Sequence, residues 1–365
     1  MKKIFIAATK QNDGKTTVAL GLIFNLMNKF KRVGFIKPIG QRYLEECGLK
    51  VDEDSVLIER TLKTCGISCG IKDMSPIAVE KGFTERYINQ PDREALTEQI
   101  KASFAHVAKG NEIVVIEGTG HAGVGSVFDH SNAMVAKLLG SKVVLISSGG
   151  IGRPIDEIIL NKALFDKEGV ELAGVIINKV LPEKFKKIDK LVRAGLKRKG
   201  VEVLGVMPYN PVLSCPTIGQ IVEETKYQLL IGTGNLNNRV EHILVGAMEP
   251  HNAINYIKKN SLIITPGDRG DIILTVLSLH LMKKKENENI AGIVLSGGLV
   301  PEKSIMDLMK ESGIPMLLAK SDTYTVASQI HDLTVKIRPT DKEKIDTVIK
   351  MVKEYVDVDK IYQKI

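Results

Sequence analysis

The stretch KIFIAATKQNDGKTTVALGL, Lys3 to Leu22, sets an apolar run before a polar loop that closes on Gly14-Lys15-Thr16-Thr17 and opens an apolar helix. Strand, loop and helix in that order form a phosphate-binding turn. A phosphate requires dense positive potential at close range, which a tight turn supplies by aiming backbone N–H groups at the positive end of a helix. Gly14 lets the backbone approach, and Lys15 is placed to neutralise the β- and γ-phosphate oxygens. The Thr16 hydroxyl suits Mg²⁺, a hard cation that takes hydroxyls and carboxylates. Asn12, Asp13 and Thr17 complete the loop.

The usual pattern opens with glycine five residues before Gly14, where this chain has Thr9. It carries Lys10 instead, five residues before Lys15. In this the loop resembles those of the MinD-like and nitrogenase-iron-protein group, which keep a second lysine there that reaches across a dimer. The resemblance implies a homodimer with Lys10 acting in trans; a solvated loop lysine is the other reading.

At 365 residues the chain has room for about two domains. Hydrophobic content is 44% without a tryptophan, and no apolar run approaches the roughly 18 residues of a membrane span. Met1-Lys2-Lys3 imitates the start of a signal peptide, but Ile4 to Ala8 is too short and runs into the phosphate loop. The expectation is a cytoplasmic protein without a membrane partner. The net charge of +8 raises the question of nucleic acid. From Glu183 to Lys199 there are eight Lys or Arg and two acids, with Phe185, Ile188, Leu191, Val192 and Leu196 at helical spacing. That is the wet face of an amphipathic helix, and no aromatic residues interleave for stacking, so nucleic acid is not expected. Four cysteines fit no disulfide framework in a chain this long, and the C-x₃-C of Cys65 and Cys69 lacks the further ligands of a zinc site, so reduced thiols are expected.

Further along, Val33 to Ile36 reads as a strand delivering Lys37-Pro38, where a lysine at the mouth of the sheet could hold an acidic group. Asp52-Glu53-Asp54 opens a helix, and one of these acids could join Thr16 on the metal. Ile113 to Glu117 is an apolar strand ending in an acid, a second metal or water-orienting candidate. Gly118-Thr119-Gly120-His121-Ala122-Gly123 spells a dinucleotide fingerprint, but no helix opens within the glycines. They read as a loop folding over the phosphates, with the next helix near Ser131. Val143 to Ile146, Leu172 to Ile177 and Val203 to Val206 are further strands, and alternation with helices predicts a mostly parallel, doubly wound α/β sheet.

With FIKPIG, VDEDSVLIERTL, MSPIAVEKGFTERYI, VVIEGTGHAGVGSVFDHSNAMVAKLLG, GGIGRPIDEI, GVIINKV and GVMPYNP in place, residues 1–218 resemble the dethiobiotin-synthetase-like P-loop domain found in the N-terminal part of long bacterial phosphotransacetylases. The resemblance implies ATP and Mg²⁺ as ligands. Lys15 and Thr16 then bind phosphate and metal, Asp54 and Glu117 complete the Mg²⁺ site, and Asn178 with the Pro208 region holds adenine, while Gly118 belongs to the loop read above as folding over the phosphates. Lys37 matches the substrate lysine. The small hydroxyl residue that follows Lys-Pro in the synthetase is absent here, where Gly40 and Gln41 stand, and the acidic loop residue becomes Asn12-Asp13.

Past a boundary at 215–225 the rhythm of strands and helices resumes. Thr265 to Asp271 and Ser296-Gly297-Gly298 sit at strand ends, where Asp268, Arg269, Gly297 and Gly298 could line a pocket for a small anion or nucleotide; such glycines also serve plain turns. With AGIVLSGGLVP and AKSDTYTVASQI, residues 225–340 resemble the DRTGG domain, its motif here reading GDRGD. Residues 341–365 are expected as a C-terminal helix on this second domain, opened by a capping box at Thr340-x-x-Glu343. An acyl-transfer domain would have to follow Ile365, and Cys215 lacks the setting of a glutaminase nucleophile, so neither acyl transfer nor glutamine-dependent amidation is expected. The leading expectation is an ATP- and Mg²⁺-binding regulator or sensor with slow hydrolysis. The alternative is an ATP-dependent ligase of the dethiobiotin synthetase or cobyrinate diamide synthase type, acting on a small carboxylate or carbamate near Lys37.

Overall fold

The computed structural model describes residues 1–46, 48–67, 70–283, 290–333 and 335–365. Six parallel strands form the first sheet: Lys2–Ala8 (β1), Val33–Ile36 (β2), Ile113–Glu117 (β3), Lys142–Ser148 (β4), Leu172–Val180 (β5) and Val203–Pro208 (β6). Their order is β6-β5-β4-β1-β3-β2. Strands covered by helices on both faces must be apolar throughout, and Ile4 to Ala8 and Ile113 to Ile116 are fully buried. The chain moves outward from β1 to β2, returns through β3 beside β1, and then crosses to β4 on the other side. Ligand crevices open at such reversals, outside the carboxyl ends of the strands. Here those ends carry Thr9, Lys37, Gly118 and Gly149.

The first helix, Lys15–Leu26, starts at Gly14, whose φ of 100° is the left-handed conformation that favours glycine. Val18, Ala19, Leu20, Leu22, Ile23 and Leu26 are all buried, more than one face of a helix on a sheet requires. The second cover is the C-terminal helix Lys342–Tyr355. Gly21 lies so close to it that an added Cβ would stand 2.4 Å from Val352 Cγ2, and Asn25 Nδ2 donates to the Ile349 carbonyl at 3.1 Å. The last helix, Val358–Lys364, is tied to the same body: Lys2 donates to the Tyr362 and Ile365 carbonyls at 2.9 and 2.6 Å, and Lys364 pairs with Glu202.

Residues 337–365 therefore belong with 1–210, which corrects the expectation that the C-terminal helix packs on the second domain. Ile345, Val348 and Val352 are buried on this helix, Ile349 is half-buried, and the surface they cover is the first helix. The capping box at Thr340 is also corrected, because the helix begins at Lys342 with Asp341 at its N-cap and no side-chain cap bond. A hairpin of Tyr43–Glu46 and Leu49–Asp52 carries no sequence signal, being short, polar and largely exposed.

The second unit, Pro211–Lys336, holds a five-stranded sheet of Gln228–Ile231 (β7), His242–Val245 (β8), Ser261–Pro266 (β9), Gly292–Ser296 (β10) and Met316–Leu318 (β11). The order is β7-β11-β10-β9-β8, parallel except for β7, an antiparallel edge strand of a common kind. Cores form on both faces, with Ile263, Ile293 and Leu295 on one and Leu262, Ile264 and Val294 on the other. Cys65 and Cys215 form no disulfide among the described residues, and Cys47 and Cys69 lie outside them. No described helix is long and apolar enough to cross a membrane.

Candidate functional site

The loop from Thr9 to Gly14 is braced from within and from below. Asp13 Oδ2 accepts the Thr9 hydroxyl at 2.8 Å and the Lys10 amide at 3.1 Å. Thr9, at the position usually taken by glycine, thus serves as an internal strut. Burial pushes the Asp13 carboxyl above its usual range, against the pull of these donors. From β5, Asn178 Nδ2 donates to the Asp13 carbonyl at 2.9 Å, and Lys179 Nζ donates to the Asn12 carbonyl at 2.7 Å. Gly14 passes so near Asn178 that a Cβ would lie 2.3 Å from its Nδ2. Asn178, expected on an adenine edge, holds the Asp13 carbonyl with its carboxamide nitrogen, and its Oδ1 accepts the Lys179 amide at 2.9 Å. Pro208, at the end of β6, pairs with Val180, whose carbonyl takes the Tyr209 amide at 2.7 Å.

Lys15 is buried, and Thr16 Oγ1 donates to Glu117 Oε1 at 2.8 Å. Glu117 has 0% exposure, and its Oε2 has no hydrogen-bond partner among the described residues. Burial first, and then the nearby Asp54, push its carboxyl up to about 7. Desolvation likewise holds the Lys15 ammonium below the usual lysine range, with Glu117 opposing. Beside this pair sits Lys37, buried, its Nζ bonded to Asp54 Oδ2, 2.8 Å from Asp52 Oδ1 and 3.9 Å from Glu117 Oε1. Burial alone would lower the Lys37 pKa, but Asp54, Asp52 and Glu117 together raise it above the ordinary value.

Two lysines, Lys15 and Lys37, thus face three acids, Asp52, Asp54 and Glu117, leaving one formal negative charge in a desolvated pocket. A buried carboxylate oxygen without a partner and a hydroxyl within hydrogen-bond reach fit a hard divalent cation. Among the described residues no group of three or more His, Cys, Asp and Glu side chains is arranged to hold a metal by itself. Thr16 and Glu117 therefore fit such an ion with phosphate oxygens and water completing its shell. Asp54, expected as the third ligand, is engaged by Lys37.

Sequence reading singled out Asp52 only as one of three acids at a helix start, yet it caps Asp54 and pairs with Lys37. It missed Glu157, which takes Lys10 Nζ at 3.4 Å and Arg153 Nε at 2.6 Å. It also missed Asn132, whose side chain bonds Thr119 and His121 and so fixes the glycine loop. Gly118 has a packing reason to be glycine, since a Cβ there would meet Asn132 Oδ1 and Phe5 Cε1 at 2.6 Å.

In the second unit the two glycine loops do meet, with Gly267 so close to Leu299 that a Cβ would overlap its carbonyl. Their anion-binding groups are already engaged. Arg269 makes a two-pronged bond to Asp271 at 2.8 and 2.9 Å, and the Gly297 and Gly298 amides donate to the Ser321 and Ala319 carbonyls. Asp268 lies in the turn between Pro266 and Arg269, and Gly297 and Gly298, at φ of 77° and 69°, form the neighbouring turn after Ser296.

A family model described as an AAA domain matches residues 2–217, and one described as a DRTGG domain matches residues 220–333. The phosphate acetyltransferase of Synechocystis sp. is 29% identical over 372 residues, covering 98% of this chain and 51% of that protein. That of Pseudomonas putida is 28% identical over 384 residues, covering 100% of this chain and 52% of that protein. The chain spans about half the length of the curated relatives it matches. Among solved structures, the MinC:MinD cell division complex of Aquifex aeolicus aligns with a TM-score of 0.39 at 17% identity, over 58% of this chain and 84% of that one. MinD of Pyrococcus horikoshii complexed with Mg-ADP aligns with a TM-score of 0.36 at 16% identity, over 58% and 83%. The family matches span both units, and the chain belongs to the AAA-domain family of P-loop proteins, joined here to a DRTGG domain and related to the N-terminal region of phosphate acetyltransferases.

Proposed function

We propose that this chain is a cytoplasmic ATP- and Mg²⁺-binding protein with a regulatory or sensor role, in which ATP is hydrolysed slowly. The observation that carries the reading is the Thr16–Glu117 hydrogen bond beside buried Lys15, with Glu117 Oε2 unpartnered. Lys15 and the loop amides would hold the β- and γ-phosphates, with the base at the strand ends that bear Asn178 and Pro208. Bound between Thr16 and Glu117, Mg²⁺ would neutralise phosphate charge. The ligase alternative needs Lys37 for an acidic substrate. Its ammonium is already matched by Asp52 and Asp54, which supports a sensor over a ligase. A homodimer, with Lys10 exchanging Glu157 for a partner's nucleotide, is part of the same reading.

Calorimetric titration with ATP, in Mg²⁺ and again in EDTA, tests the proposal beside the Lys15→Ala variant. Magnesium-dependent binding that the variant loses is expected, with turnover that stays slow when small carboxylates are added. Wild-type protein that takes up no ATP would overturn it, and a steep rise in turnover with one carboxylate would transfer the assignment to the ligase. Light scattering with ATP and Mg²⁺ present checks the dimer, which a monomeric mass would exclude.

A further inference from the structure

Away from the phosphate loop, the hairpin strand Leu49–Asp52, the short helix Ile71–Met74 and the helix Phe83–Asn89 enclose a cavity of about 490 Å³ within the first unit. That is within the size range of sites for small organic ligands. Each of the three elements brings one cation to it: Lys50, Lys72 and Arg86. Glu80 pairs with Lys50 at 2.7 Å, but neither Lys72 nor Arg86 has an ion pair within 4 Å among the described residues. The lining therefore carries three positive charges and one negative, a net +2.

The rest of the wall mixes apolar side chains with polar ones, Gln99 and Ser103 among the latter. Val51 and Ile77 are buried behind it, and Phe83 and Leu96 offer partly exposed faces. Ser75 is the buried polar member, with 4% exposure. Its Oγ accepts the Asp52 amide at 2.9 Å, and its hydroxyl proton has no acceptor among the described residues. A donor without an acceptor, two cations without an ion pair and the apolar faces of Phe83 and Leu96 call for a ligand that is an acceptor, an anion and partly apolar.

We infer that this cavity binds a small organic anion, a carboxylate or phosphate monoester on a short apolar or aromatic body. The anionic group is held by Lys72 and Arg86 with the Ser75 hydroxyl, and the body lies against Phe83 and Leu96. Arg86 supplies a planar fork of donors suited to either anion. The site also adjoins the Lys37 cluster. Ser75 bonds the amide of Asp52, and the neighbouring Met74 carbonyl takes the Lys37 amide at 2.8 Å and the Ser55 hydroxyl at 3.1 Å.

Calorimetry with phenyl phosphate, benzoate and uncharged benzyl alcohol tests this on the full chain, without nucleotide or Mg²⁺, so that the result does not depend on the phosphate loop. Saturable binding of at least one anion at millimolar concentration or below is expected, with benzyl alcohol about tenfold weaker or more. The Lys72→Gln/Arg86→Gln variant changes only exposed side chains and is expected to weaken anion binding by a similar factor while ATP binding stays as in wild type. Absence of binding for both anions, equal binding of the alcohol, or unchanged affinity in the double variant would each overturn the assignment.

Discussion

Thr16 Oγ1 and Glu117 Oε1, 101 residues apart in the chain, meet at 2.8 Å where the first helix begins and β3 ends. The bond occupies one carboxylate oxygen and leaves the other buried without a partner. Glu117 is thus the residue on which cation dependence should turn. Glu117→Gln is expected to lower nucleotide affinity measured in Mg²⁺ by about tenfold or more, near 1.4 kcal/mol, with little change in EDTA. Calorimetry in the two buffers separates these. An equal loss in both would mean that Glu117 supports the loop and takes no part in holding a cation.

Lys37 acts as an internal counter-ion for Asp52 and Asp54. Its removal leaves those buried carboxylates without their main positive charge, and breaking a buried ion pair by deleting one member is strongly destabilising. Lys37→Met is expected to lose about 3 kcal/mol in urea unfolding, and Lys37→Met/Asp54→Asn to recover part of it. Added Mg²⁺ should stabilise Lys37→Met more than wild type, because the freed acids become ligands. Equal thermal shifts in the two proteins would sink the counter-ion account.

How far the sequence could be read depends on the kind of signal each residue leaves. Parallel strands buried on both faces write themselves as apolar runs, and the polar residue closing each run lies at the carboxyl end where the site forms, so Lys37 and Glu117 were visible. Asp52 was half-visible, because an acid at a helix start looks like a cap whatever else it binds, and here it does both. Glu157 left no mark, being one of several acids on a helix far along the chain from Lys10. The C-terminal helix showed its apolar face but not its destination. Chain proximity favoured the second unit, while the matching surface was the doubly covered first helix.

Asn178 separates two roles through choice of ligand. Its carboxamide holds the Asp13 carbonyl under the loop, so Asn178→Ala is expected to weaken ATP and inorganic triphosphate alike, by about fivefold. Competition titrations with the two ligands measure this. If ATP alone were weakened, the residue would be reading the base and the prop would be incidental.

The junction of the first helix with the C-terminal one should appear as a non-additive pair. A methyl added at Gly21 would stand 2.4 Å from Val352 Cγ2 and 3.1 Å from the Val348 carbonyl, in a region where neither helix face is exposed. Gly21→Ala gains about 1 kcal/mol of helix propensity, but overpacking costs about 1–3 kcal/mol, so a net loss is expected. Val352→Ala alone opens a cavity and should cost about 2 kcal/mol. In the double variant the new methyl enters the space the valine leaves. Urea unfolding should then show a loss smaller than the sum of the single losses by at least about 1 kcal/mol. Strict additivity would mean that the two helices are not pressed together there, and that residues 337–365 contribute to the first unit by some other contact.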